Sequence, residues 1–471
     1  MLTAGAATAA PLEIAGQKQL FIDTRHVAGS ENVVLRMNQG QKLGPVLDEK
    51  GNRIHGHVSG VWEERGKIRL YVGADDLAVY ESDDGLRFTR TPFNIPHGIF
   101  PTVFIDHHDP NPEFRFKLFW LQLSETFDPS KDGVYAGYSA DGETFTEAGR
   151  VFPFYADNPT LAYWDERIQK YVLYTRALAY NSENQRRIAR IETDDVLKPW
   201  PYTATDHDGM FPTPENINVV LAADDEDNPH SDIYYNAFTP YSWAQDAHFM
   251  FTAQFRHFSP DRNPYVRPKE GGHWEDFGLL EVQMAVSRDG VTWQRPSREP
   301  YFPTGLADEW DRWYAVMGPG VVKRGNYLYQ YYVSTGRTHD SVVVRPEYDN
   351  PSLELGGIGV VKQRLDGYIS ADVDHRGGWL ETPPILFEGG HLRLNLDTGA
   401  MGTVFVELRD ADGNPVPGFT LGECEEIGGN YIDQAVYWNG SNDVSALAGT
   451  PVSIFFKMCR AKLFAFQFTA E

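Results

Sequence analysis

The sequence predicts an all-β protein, a five-bladed β-propeller followed by a C-terminal β-sandwich. Three observations carry this. A Ser/Thr-x-Asp-Gly/Asp turn recurs after strand-like runs and is each time followed by an aromatic residue: Ser82 to Gly85 with Phe88, Ser139 to Gly142 with Phe145, Thr193 to Asp195 with Trp200, and Ser287 to Gly290 with Trp293, with a looser fifth copy at Leu365 to Tyr368. The Asp residues of successive copies lie 57, 54, 94 and 77 residues apart. Propeller blades repeat at roughly 40 to 50 residues, so the first two intervals are blades with modest loops and the last two carry insertions. From about Gly377 the repeat stops, and Leu392, Leu394 and Leu396, then Val404, Val406 and Leu408, alternate as half-buried antiparallel strands do.

Asp-Gly between two apolar runs marks a hairpin, because Gly accepts positive φ and Asp bonds its own turn backbone. The aromatic residue after each turn begins an outer strand, where its ring covers the gap to the next blade. Residues 1–18 read as a disordered tail or the remnant of an export signal. Residues 19–376 read as the propeller, with the spare strand Gln19 to Asp23 expected to join the last blade and close the ring. The first blade has strands at Val58 to Trp62, Ile68 to Val72 and Ala78 to Ser82; the second at Thr102 to Ile105, Phe116 to Trp120 and Val134 to Ser139; the third at Thr160 to Trp164, Tyr171 to Tyr174 and Arg187 to Glu192. The fourth runs from Asp232 through Met250 to Val286 with a polar excursion after Phe258, and the fifth from Val316 to Val361 with another after Thr338. Residues 377–471 supply the sandwich, ending in strands at Gln434 to Trp438, Val452 to Phe456 and Leu463 to Phe468.

A formal net charge of -24 repels phosphate backbones and anionic lipid, which argues against nucleic acid as a partner. No run approaches the ~18 apolar residues of a membrane-spanning helix. Cys424 and Cys459 are the whole cysteine complement, too few for a disulfide framework or a cysteine-rich zinc site, and two unpaired thiols are the expectation. The Ala-rich opening, Met1 to Ala10, resembles the end of a secretory signal without its basic start or apolar middle, so a periplasmic or extracellular location is an expectation and a cytoplasmic one stays open.

This organisation resembles the five-bladed propeller glycoside hydrolases: the invertases and levansucrases of families 32 and 68, and the related arabinanase-type family 43. It is most similar to uncharacterised family-32-like bacterial proteins, sharing Leu20-Phe21-Ile22-Asp23, the stretch Val282 to Gly290, and the ending Leu463 to Phe468. The resemblance implies O-glycosyl bond hydrolysis. The sequence departs from it at the chemistry, however. Invertase-like enzymes carry a Trp-x-Asn-Asp-Pro-Asn nucleophile motif in the first blade, where this chain has Gly56-His57-Val58-Ser59-Gly60, and its Glu423-Cys424 lies in the sandwich instead of at an acid position.

Glycoside cleavage needs one protonated and one ionised carboxyl across the scissile bond. The acids expected near inner strands at a propeller mouth are Asp157, Asp232 and Glu281. Arg176, Arg256 and Arg337, with His257 and His339, fall at strand ends, and three guanidinium forks in one mouth would suit a uronate carboxylate. His57 stands where the invertase nucleophile would be, and Trp243 and Trp313 are candidate stacking platforms. The bland reading is open for each: acids capping turns, Arg neutralising buried Asp, satisfied structural His, aromatic rings as blade packing. The leading expectation is an exo-acting glycoside hydrolase working on a plant or algal oligosaccharide with paired carboxylates. A polysaccharide lyase acting on uronates and a non-catalytic carbohydrate-binding propeller are the alternatives. No cofactor is required by this chemistry, and a structural Ca²⁺ in the central channel is compatible with it. Oligomeric state is not written in the sequence.

Overall fold

The computed structural model describes residues 10–74, 76–95, 98–124, 128, 130–154, 156, 161–178, 186–202, 217–258, 277–339 and 353–470. Among these there is no α-helix, and strands organise two compact units.

The larger unit comprises residues 39–240 and 248–363. Five antiparallel sheets follow one another along it. The first holds His57–Glu64, Lys67–Gly73, Leu77–Ser82 and Arg87–Ile95, with Leu47–Asp48 added parallel to the last at its outer edge. The second holds Ile99–Ile105, Phe116–Gln122, Gly133–Ser139 and Thr146–Phe152, and the third Ala162–Asp165, Lys170–Leu178, Arg186–Thr193 and Asn218–Leu221. In the fourth, Ser231–Tyr235 and Phe238–Pro240 both pair with His248–His257, which pairs with Gly278–Ser287. The fifth holds Val316–Met317, Val322–Arg324, Tyr327–Ser334 and Gly357–Arg364.

Each sheet packs on the next, and the fifth packs on the first. The Trp62 indole donates to the Val103 carbonyl between sheets one and two (2.9 Å), and the Tyr171 hydroxyl to Asp106 between two and three (2.8 Å). Phe255 and Leu280 share a buried cluster with Tyr314 and Val333 between four and five.

The recurring turn explains part of this register. In the first sheet the Ser82 hydroxyl accepts from the Gly85 amide at 2.8 Å and Asp84 accepts from the amides of Leu86 and Arg87. The same bonds recur at Ser139 and Asp141 and at Ser287 and Asp289. Every copy closes a third strand, and the glycine of each complete copy sits at φ between 68 and 78°.

The turn carbonyls are then stapled to a neighbouring sheet by tyrosines from second strands. Tyr331 donates to Gly85 O (2.9 Å), Tyr71 to Gly142 O (3.0 Å) and Tyr174 to Gly290 O (2.7 Å). These hydroxyls cross the sheet boundaries from five to one, one to two and three to four.

Two expectations are corrected by strand pairing. The strand that completes the last sheet is Gln41–Pro45, bonded to Gly357–Arg364, whereas Gln19 and Leu20 pair with Phe466 and Ala465 in the other unit. Because the fifth sheet takes its outer strand from the N-terminal side, no hairpin follows its third strand. The looser turn copy at Asp366 therefore leads into the second unit, where its buried carboxylate bonds Lys18, Tyr241 and Asn395.

The second unit gathers residues 10–38, 241–247 and 364–470, so the expected boundaries at 18 and 376 fall inside it. One sheet runs Asn430–Ala435, His391–Asp397, Ala461–Thr469, Ile369–Val373 and Val33–Met37; the other runs Gly29–Glu31, Gly378–Glu381, Ser453–Cys459 and Thr403–Arg409. Leu392, Leu394, Leu463 and Phe466 from the first meet Val404, Val406, Ile454 and Phe456 from the second in one core, which makes it a β-sandwich. Both cysteines are free thiols.

Candidate active site: an aromatic axial pocket

The first strands of the sheets approach so closely that glycine is required between them. A Cβ on Gly60 would lie 2.3 Å from the Val103 carbonyl oxygen, and one on Gly318 would lie 2.2 Å from a Val58 methyl. Where these strands spread apart, they wall a pocket. His57 and Val58 come from the first sheet, Phe100 to Thr102 from the second, Tyr234 and Tyr235 from the fourth, and Tyr314, Val316 to Gly318 and Val333 from the fifth.

Three of the first strands carry a bulge at this end, between Val58 and Gly60, Ile99 and Thr102, and Ile233 and Tyr235. A bulge re-aims side chains that strict alternation would send to opposite faces. That is how the consecutive Tyr234 and Tyr235 both reach the pocket. Phe100 sits at φ 49, an outlier for a bulky side chain. Its ring meets His57 edge-on, with centroids 5.3 Å apart. His57 stands in the concave wall, enclosed by protein yet open to solvent, and burial pushes its pKa down, so the neutral imidazole is favoured.

Beside this wall lies a buried charged cluster. One oxygen of Asp232 accepts from the Arg186 amide and guanidinium, 3.2 Å each, and lies 3.2 Å from His257 Nε2. Its other oxygen, Oδ1, is buried without a hydrogen-bond partner. Burial pushes this carboxyl up, but the His257 bond and the Arg186 charge outweigh it and hold the group below the usual carboxylate range. Arg176, 1% exposed, donates through Nε to the Tyr234 carbonyl at 3.1 Å and lies 4.3 Å over the Tyr234 ring. Burial lowers its pKa to about 10. His339 Nε2 lies 3.3 Å from the Tyr234 hydroxyl.

The residues expected from sequence divide accordingly. His57 lines the pocket; Asp232, His257, Arg176 and His339 cluster around Tyr234. Asp157 lies outside the described residues. Glu281 does not join Asp232. Gln254 faces Glu281 on one side and Ile233 on the other, while Asp232 faces Phe255, so the two carboxyls point to opposite faces of the fourth sheet.

The three arginines do not converge either. Arg176 is engaged with Tyr234, Arg256 and Trp313 line a second pocket with Glu281, and Arg337 is exposed on a turn whose carbonyl accepts from Thr335. Trp243 belongs to the sandwich unit, edge-on to Tyr241 at 5.1 Å.

Sequence reading missed Phe100, Tyr235 and Arg186. Only the Tyr-Tyr doublet after Asp232 hinted at a bulge. The described lining of the axial pocket contains no carboxylate, so it does not fit a Ca²⁺ cage, which needs six to eight oxygen ligands. Among the described residues no group of three or more His, Cys, Asp or Glu is placed to hold a metal.

A closed run of antiparallel sheets with an aromatic pocket among its first strands defines a propeller-type β-protein. No protein-family model and no curated protein matches this sequence. Solved structures do resemble it. A thermostable family-43 glycoside hydrolase covers 67% of this chain and 92% of its own at 13% identity and TM-score 0.42. A family-43 arabinoxylan arabinofuranohydrolase from Bacillus subtilis, in complex with cellotetraose, covers 89% and 97% at 10% identity and TM-score 0.39. The exo-β-1,3-galactanase of Phanerochaete chrysosporium, with galactose, covers 91% and 99% at 13% identity and TM-score 0.37.

Proposed function

We propose that this chain is an exo-acting glycoside hydrolase whose sugar-binding site is the axial pocket, with an oligosaccharide of plant or algal type as substrate. The observation that carries the proposal is the convergence of His57, Phe100, Tyr234, Tyr235 and Tyr314 from four different sheets on one concavity beside an ionised buried carboxylate. Aromatic faces stack on the C–H edges of sugar rings, and a pocket walled on several sides receives a chain end more readily than a chain interior. In this reading Asp157 supplies one of the two carboxyl groups that glycoside cleavage needs. Asp232 holds His257 and Arg186 in place and acts as a positioning residue.

The test is a glycan panel with product analysis, run on the wild type and on Asp157→Asn. The variant is expected to lose at least ~100-fold in kcat with KM little changed. Full activity in Asp157→Asn would remove that residue from the mechanism.

A second reading is favoured by the absence of a carboxylate from the described lining and by the Tyr234 to His339 contact. A lyase would move the proton beside a uronate carboxylate to His57, form a carbon–carbon double bond and expel the glycosidic oxygen, which takes a proton from the Tyr234 hydroxyl. Its products absorb in the near ultraviolet and carry no added water, whereas hydrolysis adds one water per bond cleaved.

A further inference from the structure

The fourth sheet carries a second concavity on the face opposite Asp232. Strand alternation puts Gln254 and Arg256 on one strand beside Glu281 and Gln283 on the next, and these four line a pocket with Asp227 and Trp313. Among the described residues it shares none with the axial pocket.

The chemistry of its lining is unusual for a surface held together by ion pairs. Arg295 and Arg298 are spent on Asp224 and Asp227, with the closest contact 2.6 Å from Arg295 to Asp227. Arg256 is exposed, and among the described residues no carboxylate pairs with it. Among the described residues no cation pairs with Glu281 either, and its carboxyl accepts from the Gln283 amide at 3.1 Å. Burial pushes the Glu281 carboxyl above the usual range, the Gln283 bond opposes this, and the nearby Glu299 charge adds to it. A guanidinium and a carboxyl standing in one pocket without pairing leave their hydrogen-bonding capacity to a ligand.

Trp313 is held in an uncommon backbone conformation, φ 65, by a bond from the Leu280 amide to its carbonyl (3.1 Å), with the Arg312 guanidinium 4.2 Å from its ring centroid. The Gln283 amide is spent on Glu281 and on the Arg298 carbonyl (2.8 Å), so a fixed indole beside a carboxyl and a guanidinium is the set left to a ligand, an acceptor and a donor matched to vicinal hydroxyls on an apolar ring.

We infer that this pocket is a second saccharide-binding site, separate from the axial one, that takes a neutral sugar ring with adjacent hydroxyls. Neutrality follows from the lining: Asp227 is matched by Arg295 and Arg298, and Glu281 stands in the same pocket as Arg256, so no surplus of cations is left for an anionic group. The inference rests on the carbohydrate reading above, as the place where a polymer is held while its end is processed at the axis.

The test is nitrogen-15 NMR of the tryptophan indoles, with the Trp313 signal assigned by its loss in Trp313→Phe. D-glucose, D-galactose and L-arabinose, with D-galacturonate as the anionic arm, are titrated into wild type, Glu281→Gln, Arg256→Gln and His57→Ala. A saturable shift of the Trp313 signal by at least one neutral sugar is expected. Its midpoint should rise about tenfold or more in Glu281→Gln and in Arg256→Gln, the effect of losing one hydrogen bond to a charged group, and stay at the wild-type value in His57→Ala. No shift with any sugar, a stronger response to galacturonate, midpoints unchanged in both pocket variants, or a response lost in His57→Ala would each overturn the inference. A Trp313 titration without any cleavage of the glycan panel would sink the hydrolase reading and leave this site standing.

Discussion

The tyrosine staples make a quantitative prediction at Gly142. Its φ of 74° lies in the left-handed region, and an added Cβ would stand 2.4 Å from the Tyr71 hydroxyl and 2.8 Å from Cε1 of Phe116. Gly142→Ala therefore carries two costs. The left-handed conformation costs about 1 to 2 kcal/mol for a residue with a side chain, and forcing a methyl into a packed boundary costs about 1 to 3 kcal/mol. Tyr71 is fully buried, and burial pushes its hydroxyl pKa far up, so it stays a donor across the accessible pH range. Tyr71→Phe removes the bond to Gly142 O and should cost about 1 to 2 kcal/mol on its own. It also removes the atom nearest the new methyl. The double variant should then be less damaged than the sum of the two singles, by roughly 1 kcal/mol or more, and urea unfolding of all four proteins measures this coupling. Additivity within about 0.5 kcal/mol would refute the claim that this hydroxyl sits against the turn.

Asp232→Asn should destabilise the ring unit by about 3 kcal/mol, because it strips the shared partner from Arg186 and His257 in a buried site. At roughly 2.1 cal/mol/K per residue this lowers its calorimetric transition by roughly 4 to 5 °C. Since the folded-state pKa of Asp232 is lowered, its contribution is fully present above the unfolded value of 3.8 and is lost as pH falls through the folded value. The gap between wild type and variant should accordingly be constant near neutrality and close on the acid side; a gap that widened in acid would reverse the assigned sign. Cys424 is buried, and burial lifts its thiol to about 11. At pH 8 roughly one molecule in a thousand carries its thiolate, so a disulfide reagent should modify Cys459 first and Cys424 only on unfolding. Equal native rates would contradict that burial.

The composition and the spacing of turns were enough to read an all-β chain with repeated hairpins and a change of texture after the repeat. Those signals are local: a serine, an aspartate and a glycine close their own turn wherever the chain is, and alternation in Val404, Val406 and Leu408 reports one buried face. The second-strand tyrosines were invisible as staples, since a hydroxyl finds its carbonyl only once two sheets meet. Pairing partners distant in sequence were equally hidden. Nothing in Gln41 to Pro45 states that it completes a sheet begun at Val316, and the stronger apolar pattern at Leu20 to Ile22 drew the assignment to the wrong strand.

For the site, sequence determined which residue types were available and packing decided which of them meet. His57, Asp232, His257 and Arg176 were legible because they sit at strand ends, where side chains face loops or clefts. Glu281 was assigned to the same place, and the strand register turns it to the other face, since a single residue step along a strand reverses the direction of a side chain. The pairing of Tyr234 with Tyr235 at one pocket breaks that same rule through a bulge, a feature set by the close approach of neighbouring first strands and written in no single stretch of the chain. Local chemistry fixed the pieces; long-range pairing, with its period of two, chose the faces on which they work.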